Sequence, residues 1–225
     1  MSTTLPLFPL GSVLFPGMTM ALHVFEDRYL TLVNDLLSLP ADQPRRFGVV
    51  GITLGHEVGE KAAHQWADVG CTAEISTVQR RPNSSVDLVV TGVERFRAVE
   101  WLAPDGTTPY LRAQTVPLAE EVGEEAEVWR ERAAHHFAVY LERLDRIGII
   151  VADDTDLPKD PVAASYALAD AIVLDMPDKQ ALLEADSAAE RLARAVELLR
   201  RENRVLSALR LLPAGRFPHQ VINLN

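Results

Sequence analysis

Between Leu5 and Tyr29 the chain reads LPLFPLGSVLFPGMTMALHVFEDRY, an apolar, strand-like run broken by three prolines and two glycines. Proline cannot donate to a ladder, so Pro6 and Pro9 confine a first strand to a sheet edge or a kinked entry. Pro16-Gly17 fits the two central positions of a type II turn before a second strand. Glu26-Asp27 then favours a helix start, and Tyr29, Leu30, Val33, Leu36 and Leu37 recur at helical spacing. The run predicts a β-hairpin leading into a helix. Further strands are expected at Phe47–Leu54, Val69–Val78, Val86–Val93 and Tyr110–Val116. In the second of these Val69, Cys71, Ala73 and Ile75 alternate with polar neighbours, as in a sheet covered on one side. Arg80–Ser85 and Asp105-Gly106 supply turns. Gly92, where the alternation falters, predicts a bulge or sharp bend of the kind that closes a small barrel.

Beyond Pro117 the period changes. Trp129, Ala133, Phe137, Tyr140, Leu141 and Leu144 repeat at three and four residues, predicting a helix from Glu120 to Ile147 that Gly148 ends. Asp153–Pro158 reads as a loop. Pro161 fits the first turn of a helix carrying Val162, Tyr166, Ala169, Ile172 and Val173, and Met176-Pro177 ends it. Asp178 can cap a short helix through Glu184. Ser187 with Glu190 forms a capping-box pattern for a last helix that runs until Pro213. The fold class is therefore α+β, with a β lobe over residues 1–117, a helical lobe over 118–212 and a short tail over 213–225.

At 48% hydrophobic and 24% charged residues, a chain of 225 can bury a sizeable core. Its formal net charge of −10 repels phosphate backbones. Basic residues pair up only at Arg45-Arg46, Arg80-Arg81 and Arg200-Arg201, so nucleic acid is not an expected partner. The single Cys71 excludes an intramolecular disulfide and a thiolate metal cluster. No run approaches a bilayer-spanning length and no signal peptide opens the chain, so a cytoplasmic location without membrane association is expected.

Candidate chemistry is sparse. His135-His136 are adjacent and so do not face each other; Glu131, four residues before His135, is the one ligand-type residue correctly spaced, and packing or surface roles are preferred. His56, His64, Glu57 and Glu60 fall in a loop without fixed metal spacing. Cys71 lies on an apolar strand face, where a structural thiol is expected. Ser12, Ser84 and Ser85 lack a GxSxG context. The acidic pairs Glu120-Glu121, Glu124-Glu125 and Asp153-Asp154 read as solvated faces or loops. No GxxxxGK[ST] phosphate loop occurs. No catalytic residue, metal or cofactor is expected.

The opening run resembles that of the Lon amino-terminal domain, and FGVVGI (47–52), VGCTAEI (69–75), VVTGVERFR (89–97), LADAIV (168–173) and DKQALLE (178–184) resemble the same family in the same order. The likeness is greatest to stand-alone bacterial proteins holding only that domain. It implies a PUA-like small β-barrel with an embedded helix, followed by a helical bundle. It further implies a non-catalytic module that binds unfolded or specific client proteins, alone or as an adaptor for a separate Lon-type protease. A homodimer is a further expectation, from an apolar patch on the last helix. The ATPase and Ser-Lys peptidase parts of full-length members have no counterpart here. Arg28-Tyr29 and Arg95-Phe96 belong to the shared motifs; they are either anchors of a peptide groove or, in the preferred reading, ties between helix, sheet and core. Trp66 and Trp101 are alternative surface anchors. Two other classes stand beside this one: RNA binding, by analogy with PUA-like folds, and an independent hydrolase, for which the sequence offers no mechanism.

Overall fold

A computed structural model describes residues 2–54, 65–82, 84–149 and 156–209. Six strands and five helices follow one another as β1 (Thr3–Leu10), β2 (Thr19–Val24), α1 (Asp27–Leu37), β3 (Arg46–Leu54), β4 (Gln65–Arg80), β5 (Val86–Leu102), β6 (Arg112–Pro117), α2 (Ala126–Arg146), α3 (Pro161–Ala171), α4 (Met176–Glu184) and α5 (Ala188–Leu209). The fold is α+β. One six-stranded sheet has the order β2-β5-β4-β3-β1-β6, and β5 also pairs with β6, so the pairing returns on itself. Among the described residues no helix is long and apolar enough to cross a membrane. The loop histidines His56 and His64, with Glu57 and Glu60, lie outside the described residues, as does the tail from 213 onward.

The expected hairpin does not form. β1 and β2 flank the turn that the sequence predicts, with Met18 N–H donating to Phe15 C=O at 3.1 Å and Gly17 at φ +78°. Yet β1 pairs with β3 and β6, and β2 pairs with β5. Val13, Leu14 and Phe15 explain the separation: all three are buried in the linking segment, Leu14 with the core beneath α1 and Val13 and Phe15 with the core of the helices. Burying them on two sides carries the chain away from a tight return.

The prolines of β1 are accommodated because each half of the strand has one partner. Residues 3–6 pair antiparallel with β6, and residues 7–10 pair parallel with β3. Leu7 N–H turns to Leu111 C=O, away from β3. Position 9 aims its nitrogen the same way, so the donor that Pro9 lacks is one that β3 would not have used. The bend at Gly92 is present as expected. The β4–β5 ladder shifts register between Cys71↔Arg95 and Ala73↔Gly92, and a Cβ on Gly92 would collide with the Phe15 carbonyl oxygen.

α2 begins six residues later than the periodicity predicts. Gly123 and Glu125 both have positive φ, and Glu121 and Val122 carbonyls accept from Ala188 and Ala189 at the start of α5 instead of starting a helix. Its end is a Schellman motif on Gly148: Gly148 N–H donates to Asp145 C=O and Ile149 N–H to Leu144 C=O. Met176-Pro177, expected to end α3, instead opens α4. Asp175, not Asp178, is the cap, and its side chain accepts from Asp178 N–H, which puts the proline in the first turn, where its missing donor costs nothing. At α5, Ser187 Oγ accepts from Glu190 N–H, and the Glu190 carboxylate accepts from Asp186 N–H, a capping box displaced by one residue.

Three apolar clusters result. One lies beneath α1 and includes Phe8, Leu22, Tyr29, Leu32, Phe47 and Val90. A second joins α2 to α5 with Val13, Phe15 and Val69. A third, with Leu7, Val50, Phe96 and Leu111, is flanked by Trp66 and Trp101.

Candidate peptide-binding groove

Two strand edges lack a ladder partner among the described residues. β2 is paired only along its β5 side, and residues 8–10 of β1 are paired only along their β3 side. Both strands wall one cavity of about 270 Å³, with Phe8, Pro9 and Leu10 on one side, Met20, Leu22 and Val24 on the other, and Phe25, Glu26 and Tyr29 at the start of α1. The cavity walls mix apolar side chains with strand backbone and the polar Ser12, His23 and Glu26, because Leu22 and Val24, alternate residues of β2, turn inward onto the core under α1 and leave the strand edge to face the opening. At its edge Phe25 is 54% exposed and lies 5.8 Å from the His23 ring. A large exposed ring beside such a slot is a contact surface rather than part of the core.

Polar groups close one side. His23 Nδ1 lies 2.6 Å from Asp87 Oδ1 across the β2–β5 ladder, and Arg81 binds the same carboxylate. These two hydrogen bonds, that of His23 first, hold the Asp87 carboxyl below its ordinary range. Glu26 pairs with Arg28 at 2.8 Å. An extended segment lying along the open edge of β2 would find main-chain donors and acceptors there, and across the slot the Pro9 carbonyl as an acceptor only, which is the chemistry of one-sided strand addition.

The six residues singled out from the sequence fall in three places. Tyr29 forms part of the groove wall, stacked on Phe8 at 4.1 Å, and the Arg28 guanidinium sits 4.7 Å from the Tyr29 ring centroid. Arg95 and Phe96, adjacent on β5, point to opposite faces. Arg95 is 2% exposed and donates to Glu120 Oε1 and to the Ala119, Leu183 and Ala185 carbonyls. Phe96 is buried over Gly48 and Gly70, where a Cβ would meet its ring at 2.6 and 2.7 Å. Trp66 and Trp101 pair at 5.2 Å, half-buried against the third cluster. The groove therefore takes Tyr29 into its wall, with Arg28 beside it through Glu26 and the Tyr29 ring, and leaves the other four elsewhere.

Met20, His23 and Phe25 were not among the residues expected from the sequence. The signals for them were Pro9, which marks an open edge on β1, and Phe25, an aromatic placed just before a polar helix start. Glu120, expected in a solvated run, is exposed, and its carboxylate also accepts from Arg95 and from the Tyr166 hydroxyl, at 2.9 and 2.6 Å. Of the remaining candidates, Cys71 is fully buried and burial pushes its thiol up to about 12, far from a reactive thiolate. The His135 and His136 rings lie 5.5 Å apart, edge to face, and among the described residues no group of three or more His, Cys, Asp or Glu could hold a metal.

Comparison with known proteins gives one consistent result. Lon protease 2 of Herpetosiphon aurantiacus is 30% identical over 208 residues, covering 90% of this chain but 24% of that protein. Lon protease 2 of Myxococcus xanthus is 29% identical over 216 residues, with 90% and 24% covered. The chain thus spans about a quarter of the length of the curated relatives it matches. Among solved structures, a Lon N-terminal domain protein from Xanthomonas campestris superposes with TM-score 0.61 at 24% identity, over 87% of this chain and 98% of the other. The N-terminal domain of the Mycobacterium avium complex Lon protease superposes with TM-score 0.67 at 18% identity, over 88% and 98%. These two likenesses establish the fold. The family model for the ATP-dependent protease La (LON) substrate-binding domain matches residues 4–201, and the chain belongs to that family.

Proposed function

We propose that this chain is a non-catalytic protein-binding module that takes extended segments of client proteins into the groove between β1 and β2. The carrying observation is the pair of unpartnered strand edges flanking one cavity, with the exposed Phe25 ring at its rim. In this reading residues 1–117 form a PUA-like barrel, closed by the β5–β6 pairing, and residues 118–212 a helical bundle that buttresses it. The module serves in the cytoplasm as an adaptor, delivering clients to a separate Lon-type protease, and the family match, confined to a substrate-binding domain, is what supports this role.

The test is fluorescence anisotropy of a labelled, uncharged peptide rich in alternating apolar residues, against the wild-type chain and Phe25→Asp. Phe25 is largely exposed, so its replacement leaves the core intact, and a buried aromatic anchor is worth about 2 kcal/mol or more when lost. Weakening of about thirtyfold is expected on that scale. Equal binding by the variant would move the site away from the groove, and no peptide binding by the wild type would overturn the module itself.

A further inference from the structure

A second cavity, of about 660 Å³, opens between α2 and α5 on the helical side of the molecule. Its walls carry His135, His136 and Arg143 from α2 and Arg200, Asn203 and Arg204 from α5. The walls are tied together. Arg143 Nη1 donates to the Asn203 carbonyl, Asn203 Nδ2 donates to the His136 carbonyl at 3.1 Å, and Arg200 Nε donates to His136 Nε2 at 3.2 Å. Asn203 is buried, and its bond to α2 fixes the spacing of the two helices.

What this cavity lacks is negative charge. Among the described residues none of Arg143, Arg200 and Arg204 has a carboxylate within ion-pair distance. The nearby acids are spent on other cations: Glu142 on Arg146, and Glu202 and Asp178 on Arg201. His136 responds to the same field. Its pKa is lowered by burial and by the positive charges of Arg200 and His135, with no carboxylate offsetting them. In a chain of net charge −10, three uncompensated guanidinium groups around one opening form a local electropositive site.

We infer that this α2–α5 cavity is a second binding site, for a carboxylate-bearing acidic segment of a partner protein, with Arg200 and Arg204 as its principal contacts. Guanidinium forks match carboxylates in bidentate geometry. The volume suits several residues of a peptide rather than a single small ion. A protein segment is favoured over nucleic acid because the cavity wall includes the apolar Val139 beside its charges, which suits a mixed side-chain surface better than a phosphate chain. This site is distinct from the β1–β2 groove and stands whether or not that groove binds peptide.

The experiment is binding of a labelled peptide of alternating Glu and Ala to the full chain, compared with its Gln counterpart, a single-stranded oligonucleotide and inorganic phosphate. The Glu peptide is expected to bind and the Gln peptide to fail. Arg200→Gln with Arg204→Gln is expected to weaken the Glu peptide about tenfold or more, from the loss of two charge-assisted contacts. Arg46→Gln, on β3 and paired there with Glu74, should bind as wild type, and so should Phe25→Asp. Arg204→Gln alone, at an exposed residue, keeps the test valid if the Arg200 change perturbs folding. Binding should also move the His136 imidazole titration upward in an NMR pH series, a response that a merely structural role for these arginines would not give. Equal retention of the Gln peptide, an unaffected double variant, or preference for the oligonucleotide or phosphate would each overturn the proposal.

Discussion

Arg95 and Arg191 are 2% and 0% exposed, and their burial is tolerable only because their donors are used. Arg191 donates to the Leu182 carbonyl and Ser165 Oγ, at 2.9 and 2.8 Å, and its guanidinium lies 3.9 Å from the Tyr166 ring centroid. Arg95 takes the Leu183 and Ala185 carbonyls. Together they satisfy the carbonyls that α4 leaves open at its C-terminal end, where cations are also favoured by the helix dipole. Two cations close to each other against one carboxylate, Glu120, carry a cost: burial and the neighbouring Arg95 pull the Arg191 pKa down to about 10. Removing Arg95 strands the Leu183 and Ala185 carbonyls in a buried site and leaves the part-exposed Glu120 with only the more distant Arg191. Arg95→Ala is expected to lose about 3–5 kcal/mol, read from the urea midpoint. Arg95→Lys should recover only part of it, because one ammonium cannot reach acceptors on residues 119, 120, 183 and 185 in the guanidinium's planar fork. Full rescue by lysine would show that charge alone, rather than the fork, holds the junction.

At the scale of elements, Gly92 links the fold to the groove. Its N–H donates to Met18 C=O and its own carbonyl accepts from Gly17 N–H, both at 2.8 Å, which seats the turn before β2 directly on β5. A Cβ there would strike backbone, not a mobile side chain, so Gly92→Ala is expected to cost about 1–3 kcal/mol and to weaken peptide capture, because β2 hangs on β5 alone. Gly48→Ala meets the ends of Leu7 and Phe96 side chains instead. It should destabilise the protein while leaving peptide affinity intact, and paired denaturation and anisotropy measurements separate the two. The same contrast explains what the sequence revealed. The Pro16-Gly17 turn, the Gly148 helix end and the Ser187 cap were legible because each depends on residues within a few positions. The partners of β1 and β2 were not, since Leu7↔Gly48 and Met20↔Val90 join residues far apart in the chain, and nothing in β1 itself names β3. Arg191 was passed over for that reason too: a charge is recognisable as buried only once its distant partners are known. The groove inherits this limit, being made of two edges whose openness is a property of the whole sheet.

For the whole molecule the question is whether the strand and helical parts stand alone. Val13, Phe15 and Val69 from the strand region belong to the helical core cluster, and Gln180 Nε2 of α4 donates to the Val69 carbonyl at 3.0 Å. α4 also lays Met176 on Gly51, which has no room for a side chain, and Arg95 reaches from β5 to the end of α4. Unfolding the helices alone would expose Phe15 and take the Leu183 and Ala185 acceptors from Arg95; unfolding the strands alone would strip the helices of part of their core. Neither half-structure keeps its largest stabilising contacts, so a single cooperative transition is expected. The tryptophans allow a direct check, because Trp66 and Trp101 report on the strands and Trp129 on α2. Urea unfolding followed by fluorescence in Trp129→Phe and in the Trp66→Phe, Trp101→Phe double variant should give transitions with one midpoint, after allowance for each variant's own stability by circular dichroism. Within either variant, fluorescence and helical dichroism that part company would mean two units that fold separately, and would make Arg95 a docking contact between them rather than part of a shared core.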